Sequence, residues 1–398
     1  MKKDELDRRL NKLLSEEVEL ALDREQGQLE QMIGKLDQDF ILFGAGNLGR
    51  RALRVLQHLG HTPRAFIDNN PDLWGKDLLG IPIMSPAEAA TKFDPAKTGV
   101  ITTIWCGEAT DKMSDRLAPL KKLGFEKLAL FGHLAWKFHE EFLPHYCLDR
   151  PSKLAPQAAQ IHAAYALLAD DESRQIFVDH IEWRLFLDYD LLPYPTPEVI
   201  YFNEKFINIS DSEVLYDIGA YTGDSLESFL NSKRGKAFRE IHSFEPSQSN
   251  FSALQEYIGR LESIHNKVFA HKLALGDSSG SIQVEGEHGP ASRVGIGIGS
   301  ETVPMTTIDI FCQSATPPTF IKIDIEGFEP QCLLGARQVI TDTAPVVAVC
   351  VYHLQSHLWE ILLQLHSYNP NYRFQLGPHL ADGWDLVLYA VPRHRQPN

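Results

Sequence analysis

Cysteine is scarce and scattered. The five residues Cys106, Cys147, Cys312, Cys332 and Cys350 are odd in number and form no CxxC pair. That pattern excludes a disulfide framework or a thiolate zinc site, and reads as buried apolar residues of a reducing compartment. Basic runs are equally lacking: no lysine or arginine run exceeds a pair, and the formal charge is −15. Binding nucleic acid needs a concentrated basic surface, so no nucleic-acid partner is expected, and a small molecule or a glycan fits better. No segment reaches the roughly 18 apolar residues of a membrane span. The start, MKKDELDRRLNKLLSEEVEL, has no uninterrupted apolar core, so a cytoplasmic protein is expected. No repeat of solenoid period is visible. With 398 residues, 43% of them hydrophobic, the chain can bury two cores.

Apolar periodicity divides the chain into four parts. Residues 1–37 read as one N-terminal helix, with Leu10, Leu14, Val18, Leu22, Leu29, Met32 and Leu36 at helical spacing. It either packs on its own domain or joins a homodimer, though Glu17 and Gly27 interrupt a clean heptad. Residues 38–150 form a compact α/β unit opening on FILFGAGNLGR, in which Gly44, Gly46 and Gly49 stand as GxGxxG before a helix. A second strand ends in Asp68 about twenty residues on, the order of a Rossmann-type nucleotide site. Further strands are expected at 80–90, 100–105 and 125–131, short of a full six-stranded dinucleotide fold. Residues 151–198 read as a helical connector ending in the proline cluster LLPYPTPE.

From 199 to 398 strands and helices alternate, which predicts a second doubly wound, mostly parallel sheet with an antiparallel pair at its end. Strands are expected at VIYF, VLYDIGA, EIHSFE, KVFAHKLAL, TFIKIDI, PVVAVCVY, YRFQLG and WDLVLYAV, and a hairpin region over 276–304. The most informative stretch is VLYDIGAYTGDS, a strand joined to a helix by a glycine turn carrying Asp217 and Asp224. Gly219 and Gly223 let the backbone turn sharply and approach a ligand. Glu245, at the tip of the next strand, can accept two hydrogen bonds from a ribose diol. Acids in the turn would repel a pyrophosphate and suit a cationic ligand, and S-adenosylmethionine carries an ammonium and a sulfonium. The other strand-end candidates are Asp277, Asp324, Glu326 and His353.

These residues resemble a known family. DIGAYTGDS, FEP, ALGD, TTID, FIKIDIEGFE, PVVAVCVYH, LWEIL and DLVLYAV, taken in order, are similar to the FkbM-type S-adenosylmethionine-dependent methyltransferases over roughly 199–392. The resemblance implies a class I methyltransferase fold and O-methylation of sugar or polyketide hydroxyls. It implies that Asp217, Gly219 and Gly223, with Asp224 beside them, line the methionine part of the cofactor. Glu245 would bind the ribose and Asp277 approach the adenine. Over about 38–135 the chain more loosely resembles small Rossmann-like domains that precede sugar-modifying enzymes and bind a nucleotide or nucleotide-sugar.

Methyl transfer to a hydroxyl needs alignment and a base. His353 is the first choice for that base, with Asp324 orienting it and Glu326 nearby. A divalent metal on Asp324 and Glu326 would need more ligands than two acids. Glu326 could equally bond the backbone at the Gly327 turn. Two readings compete with the methyltransferase: a nicotinamide-dependent oxidoreductase using the N-terminal glycine loop, which lacks a Tyr-x-x-x-Lys, and a non-catalytic scaffold. The acceptor pocket is expected to include the glycine-rich loop over 286–304.

Overall fold

The computed structural model describes all residues except 1, 106–111, 196–198, 234–236, 262–263, 286–299 and 398. The loop expected at the acceptor and Cys106 therefore lie largely or wholly outside the described residues. The other four cysteines are free thiols. Among the described residues no helix is long and apolar enough to cross a membrane.

The first six strands are β1 (Phe40–Phe43), β2 (Phe66–Ile67), β3 (Asp77–Leu78), β4 (Ile81–Met84), β5 (Gly99–Thr102) and β6 (Leu128–Leu130). They form one sheet in the order β3-β4-β2-β1-β5-β6. Every pair is parallel except β3 with β4. The sheet thus has six strands where fewer were expected, because a short hairpin adds β3 at the edge. Strands β1 and β5 are buried along their whole length, as continuous apolar runs in a parallel sheet must be.

The remaining strands are β7 (Val214–Ile218), β8 (Glu240–Phe244), β9 (Val268–His271), β10 (Ala274–Leu275), β11 (Gly280–Glu285), β12 (Ser300–Thr306), β13 (Phe320–Ile323), β14 (Val346–Cys350), β15 (Arg373–Pro378) and β16 (Leu386–Val391). Seven of them form the second sheet, β15-β16-β14-β13-β7-β8-β9. From β14 to β9 the strands are parallel, and β16 runs antiparallel to both β14 and β15. The chain reverses direction across the sheet between β7 and β13, so the crevice at their carboxyl ends is where a ligand is expected. Strands β10, β11 and β12 make a separate three-stranded sheet beside that crevice. The expected single strand KVFAHKLAL is thereby split between two sheets, as β9 and β10. The expected strand at VIYF is absent: residues 199–202 are irregular, and Tyr201 has φ +64°.

The N-terminal helix is two helices, Lys3–Leu14 and Val18–Ile33. The break sends them to different cores. Leu6, Leu10, Leu13 and Leu14 join the core of the second sheet, whereas Leu29 and Ile33 join that of the first. The apolar face of the first helix is covered by the helix Asp171–Phe186 of the same chain. That second helix is also shared, with Phe177 and Ile181 on one core and Trp183 on the other.

Candidate methyl-transfer site

A cavity of about 270 Å³ opens at the carboxyl ends of β7, β8, β13 and β14. One wall of it is built by the turn after β7. Gly219 has φ +78°, and a Cβ there would stand 1.8 Å from the carbonyl oxygen of Asp324. Gly223 has φ +103°, and its Cβ would lie 2.8 Å from the Tyr257 ring. Both positions therefore require glycine. The N–H groups of Gly219 and Ala220 both donate to the carbonyl of Phe244, at 3.0 Å, tying the turn to the tip of β8.

Glu245 completes the tie. Its carboxylate accepts the N–H of Tyr221 at 3.0 Å and that of Ser247 at 2.9 Å, and it lines the cavity. Burial pushes its pKa up to about 7, against the hydrogen bonds from Ser247, Tyr221 and Asn250 and the charge of Lys322. Phe244, Pro246, Leu273 and Leu275 supply apolar wall beside it. A glycine turn that a Cβ would fill, a carboxylate at the next strand tip and an apolar flank fit the donor set of an adenosyl cofactor.

Beneath the turn, Asp217 is fully buried and does not line the cavity. It accepts the Ser225 hydroxyl at 2.7 Å and pairs with Lys322 Nζ at 3.2 Å. Its expected contact with the cofactor is thus replaced by a role in holding the turn. Lys322, which sequence reasoning missed, donates at 2.6 Å to the carbonyl of Gly219. Burial alone would lower its pKa, but Asp217, Asp324 and Asp224 surround it and raise it, so it stays charged. The available signal was a lysine inside the otherwise apolar strand FIKI. Asp224 does line the cavity, its carboxyl pushed up by burial. Asp277 is exposed and outside the cavity, bonded to Ser278, so the structure does not bring it to the cofactor.

The same cavity is also lined by Tyr201, Asp324, Glu326, Tyr352 and Asp385. The Tyr201 hydroxyl donates to Asp324 at 2.7 Å. Four lining residues that are not glycine, Tyr201, Tyr221, Glu326 and Asp385, have left-handed φ, and such conformations concentrate where function over-determines the backbone. His353, the expected base, is 2% exposed and is not part of the lining. Its Nδ1 lies 2.8 Å from Glu329, and its Nε2 lies 3.4 Å from Asp324 and 3.8 Å from Glu326. Burial would lower its pKa, but Glu329 and the other two acids raise it to about 9. A histidine already protonated at neutral pH cannot take the acceptor's proton, which corrects its expected role.

The acids here share one cluster of ligand-type atoms with a histidine. Among the described residues only Asp324, Glu329 and His353 bring three ligand-type atoms within 4.8 Å of one another. Glu329 already accepts the N–H groups of Ile325 and Gly327 and faces both His353 and His357. Glu326, the second ligand expected, is not in the group, and its neighbour Gly327 bonds Glu329 instead.

At the N-terminal loop, Gly44 has φ +107°, and a Cβ on Gly49 would lie 2.0 Å from the Gly44 carbonyl oxygen. Gly46 caps the helix Asn47–His58 without a side chain, and nothing lies within 4 Å of where its Cβ would be. Asp68 turns onto this loop, accepting the Ala45 N–H at 2.7 Å and the Asn70 N–H at 2.8 Å. The four residues are thus brought together.

Residues 217–377 match the family model described as the methyltransferase FkbM domain. The crystal structure of methyltransferase FkbM from Methylobacillus flagellatus KT shares the fold, with TM-score 0.78 and 22% identity, over 97% of this chain and 99% of that one. A precorrin-6y C5,15-methyltransferase from Geobacter metallireducens GS-15 is 9% identical with TM-score 0.30, over 50% of this chain and 93% of its own. An rRNA methylase from Streptococcus thermophilus is 10% identical with TM-score 0.29, over 47% and 90%. No curated protein matches the chain. The C-terminal unit is an S-adenosylmethionine-dependent methyltransferase domain of the FkbM family.

Proposed function

We propose that the protein O-methylates a hydroxyl of a sugar, glycan or related metabolite. The observation that carries this reading is the set of groups lining one cavity: the Gly219 turn and Glu245 together with Tyr201, Asp324, Glu326 and Asp385. The cofactor supplies an electrophilic methyl group. Gly219 leaves room for its amino-acid part, Gly223 lets the turn pack on Tyr257, and Glu245 receives the ribose hydroxyls. The carboxyl and phenol groups of the lining orient a hydroxyl by hydrogen bonds and offer a carboxylate to receive its proton. Hydroxyl-rich ligands are recognised by such convergent acceptors on an apolar wall. The test is transfer of an isotope-labelled methyl from S-adenosylmethionine to a panel of monosaccharides, oligosaccharides, amines and thiols. Label on oxygen in an alkali-stable ether is expected, and label on nitrogen or sulfur alone would overturn the reading.

A second reading concerns the N-terminal unit, which we propose binds a nucleotide or nucleotide-sugar. The side-chain-free cap at Gly46 supports it, because the first N–H groups of a helix attract phosphate where no side chain covers them. Calorimetry of the full chain against nucleotides and nucleotide-sugars, in the parent and in Gly46→Val, tests it; no affinity in the parent would leave the unit a structural one.

A further inference from the structure

The chain between β15 and β16 makes an unusual turn. Asp382, Gly383 and Asp385 all have positive φ, +59°, +84° and +48°. Two residues that are not glycine stay in the left-handed region only when surrounding contacts hold them there. For Asp382 those contacts come from the N-terminal unit, while the Asp385 carbonyl accepts the N–H of His379 at 3.1 Å. Asp382 Oδ1 accepts the N–H of Met113 at 3.2 Å, the first residue of the helix Met113–Lys122. Its Oδ2 lies 3.2 Å from Arg116 Nη1 on the same helix, with the two side chains 1% and 4% exposed. The carboxylate thus sits at the positive end of that helix and beside a buried cation. Next in the chain, the Trp384 ring packs on Tyr146 at 4.6 Å, on Trp105 at 6.4 Å and on Tyr352 at 5.6 Å. One residue later, Asp385 lines the cavity.

Resting on the methyltransferase reading of the cavity, we propose that the N-terminal unit builds part of the acceptor's site. Arg116 is a positioning residue that holds, through Asp382, the left-handed turn presenting the Asp385 carboxylate as the group that takes the acceptor's proton. In that step the acceptor O–H bond breaks, an O–H bond forms on Asp385, and the electron pair stays on the oxygen that receives the methyl group.

Asp385 suits the step better than its neighbours. Asp324 is engaged by the Tyr201 hydroxyl at 2.7 Å and lies 3.4 Å from His353, and Asp385 is engaged by Tyr352, so what sets Asp385 apart is the turn that carries it. The groups facing Asp385 are Asp324 after β13, Tyr352 and His353 after β14, Cys350, Asp224 at the start of its helix, and Tyr201. Burial, and then the charge of Asp324, push its pKa up to about 7, against the Tyr352 hydrogen bond and the charge of His353. A base poised near neutral pH transfers protons most effectively.

The test is a pH titration of the full chain carrying ¹³C-carboxyl aspartate, with no acceptor needed. One aspartate resonance with a midpoint near 7 is expected in the parent, and Asp385→Asn should remove it. In Arg116→Gln the loosened turn should hydrate Asp385 and lower its midpoint by about one unit or more. The direct effect of losing a cation would be upward, so the sign separates positioning from simple electrostatics. Arg116→Lys should restore the parent midpoint. Should Arg116→Gln not fold, Asp382→Asn, which keeps an acceptor for Met113 and loses the charge, carries the same readout. Absence of the near-neutral resonance, its survival in Asp385→Asn, or an unchanged or raised midpoint in the loosened variants would overturn the proposal. S-adenosylhomocysteine affinity, measured separately, tests the methyltransferase reading and leaves the titration result standing.

Discussion

His353 Nδ1 and Glu329 Oε1 lie 2.8 Å apart, and neither side chain is more than 1% exposed. Glu329 also faces His357, so a fully buried carboxylate organises two histidines beside Asp324 and Glu326. Burial opposes ionisation of both partners, yet each stabilises the charge of the other: His353 is raised to about 9 and Glu329 is held well below the usual carboxylate range. Glu329 therefore contributes stability above its ordinary 4.5, and His353 contributes fully below its ordinary 6.5. As pH climbs from 6.5 through about 9, the histidine contribution is lost. The parent should lose on the order of 1–3 kcal/mol across that window, and His353→Gln should not. Urea unfolding at a series of pH values checks it; equal pH slopes would show that His353 is not protonated in the folded chain.

Glu245 gives a binding prediction with a sign of its own. With its pKa near 7, it is partly protonated at neutral pH, and the ribose hydroxyls are better received by the ionised form. S-adenosylhomocysteine affinity should rise between about pH 6 and pH 8. Glu245→Ala should flatten that rise and cost about 2–4 kcal/mol, roughly 30- to 1000-fold in affinity. Calorimetry that finds parent-like binding in the variant would remove Glu245 from the site.

The two glycine loops predict opposite outcomes for the same change. Gly219→Ala drives a Cβ to 1.8 Å from the Asp324 backbone at φ +78°, so the β7 turn must move away from β13. Loss of cofactor binding and a destabilisation of about 2 kcal/mol or more are expected. Gly46→Ala meets nothing within 4 Å and needs no positive φ. Its effect on stability should stay within about 1 kcal/mol. A thermal melt of each variant separates them, and equal melting temperatures would contradict the turn geometry.

Much of this was readable from the chain, for a physical reason. Strand, glycine turn and helix follow one another within a dozen residues at Gly44–Gly49 and again at Gly219–Gly223, and the apolar runs FILF and VLYDI declare buried parallel strands. Glu245 follows its strand by one residue, so its place at the cavity was a local inference. What escaped were relations across the chain. Asp217 was expected at the ligand because it precedes the turn, but Lys322, about a hundred residues on, draws it inward. His353 was expected as a base because it ends a strand, and only the packing of Glu329 against it raises its pKa out of the range of such a base. Asp385 carried no signal beyond a polar residue before a strand. Its importance depends on Asp382 meeting Met113 and Arg116, a contact between residues about 270 apart. The break between the first two helices also came from tertiary packing, since the leucine spacing runs on through it.

Lys322 and Asp217 provide the last prediction. They form a buried ion pair at 3.2 Å, with side chains 2% and 0% exposed, under the turn that faces the cofactor. Removing one partner leaves the other charged in a place water does not reach, at a cost of about 3–5 kcal/mol. Lys322→Met strands Asp217 beside Asp224 and Asp324 without the lysine that all three surround. Asp217→Asn leaves Lys322 two carboxylates and the Gly219 carbonyl, so it should cost less. The double variant removes both charges and should be more stable than the sum of the single losses by about 2 kcal/mol, the signature of direct coupling. Denaturant unfolding of the four proteins gives the coupling energy. Strict additivity would mean that the pair does not hold the turn, and that Lys322 serves the wider ring of acids instead.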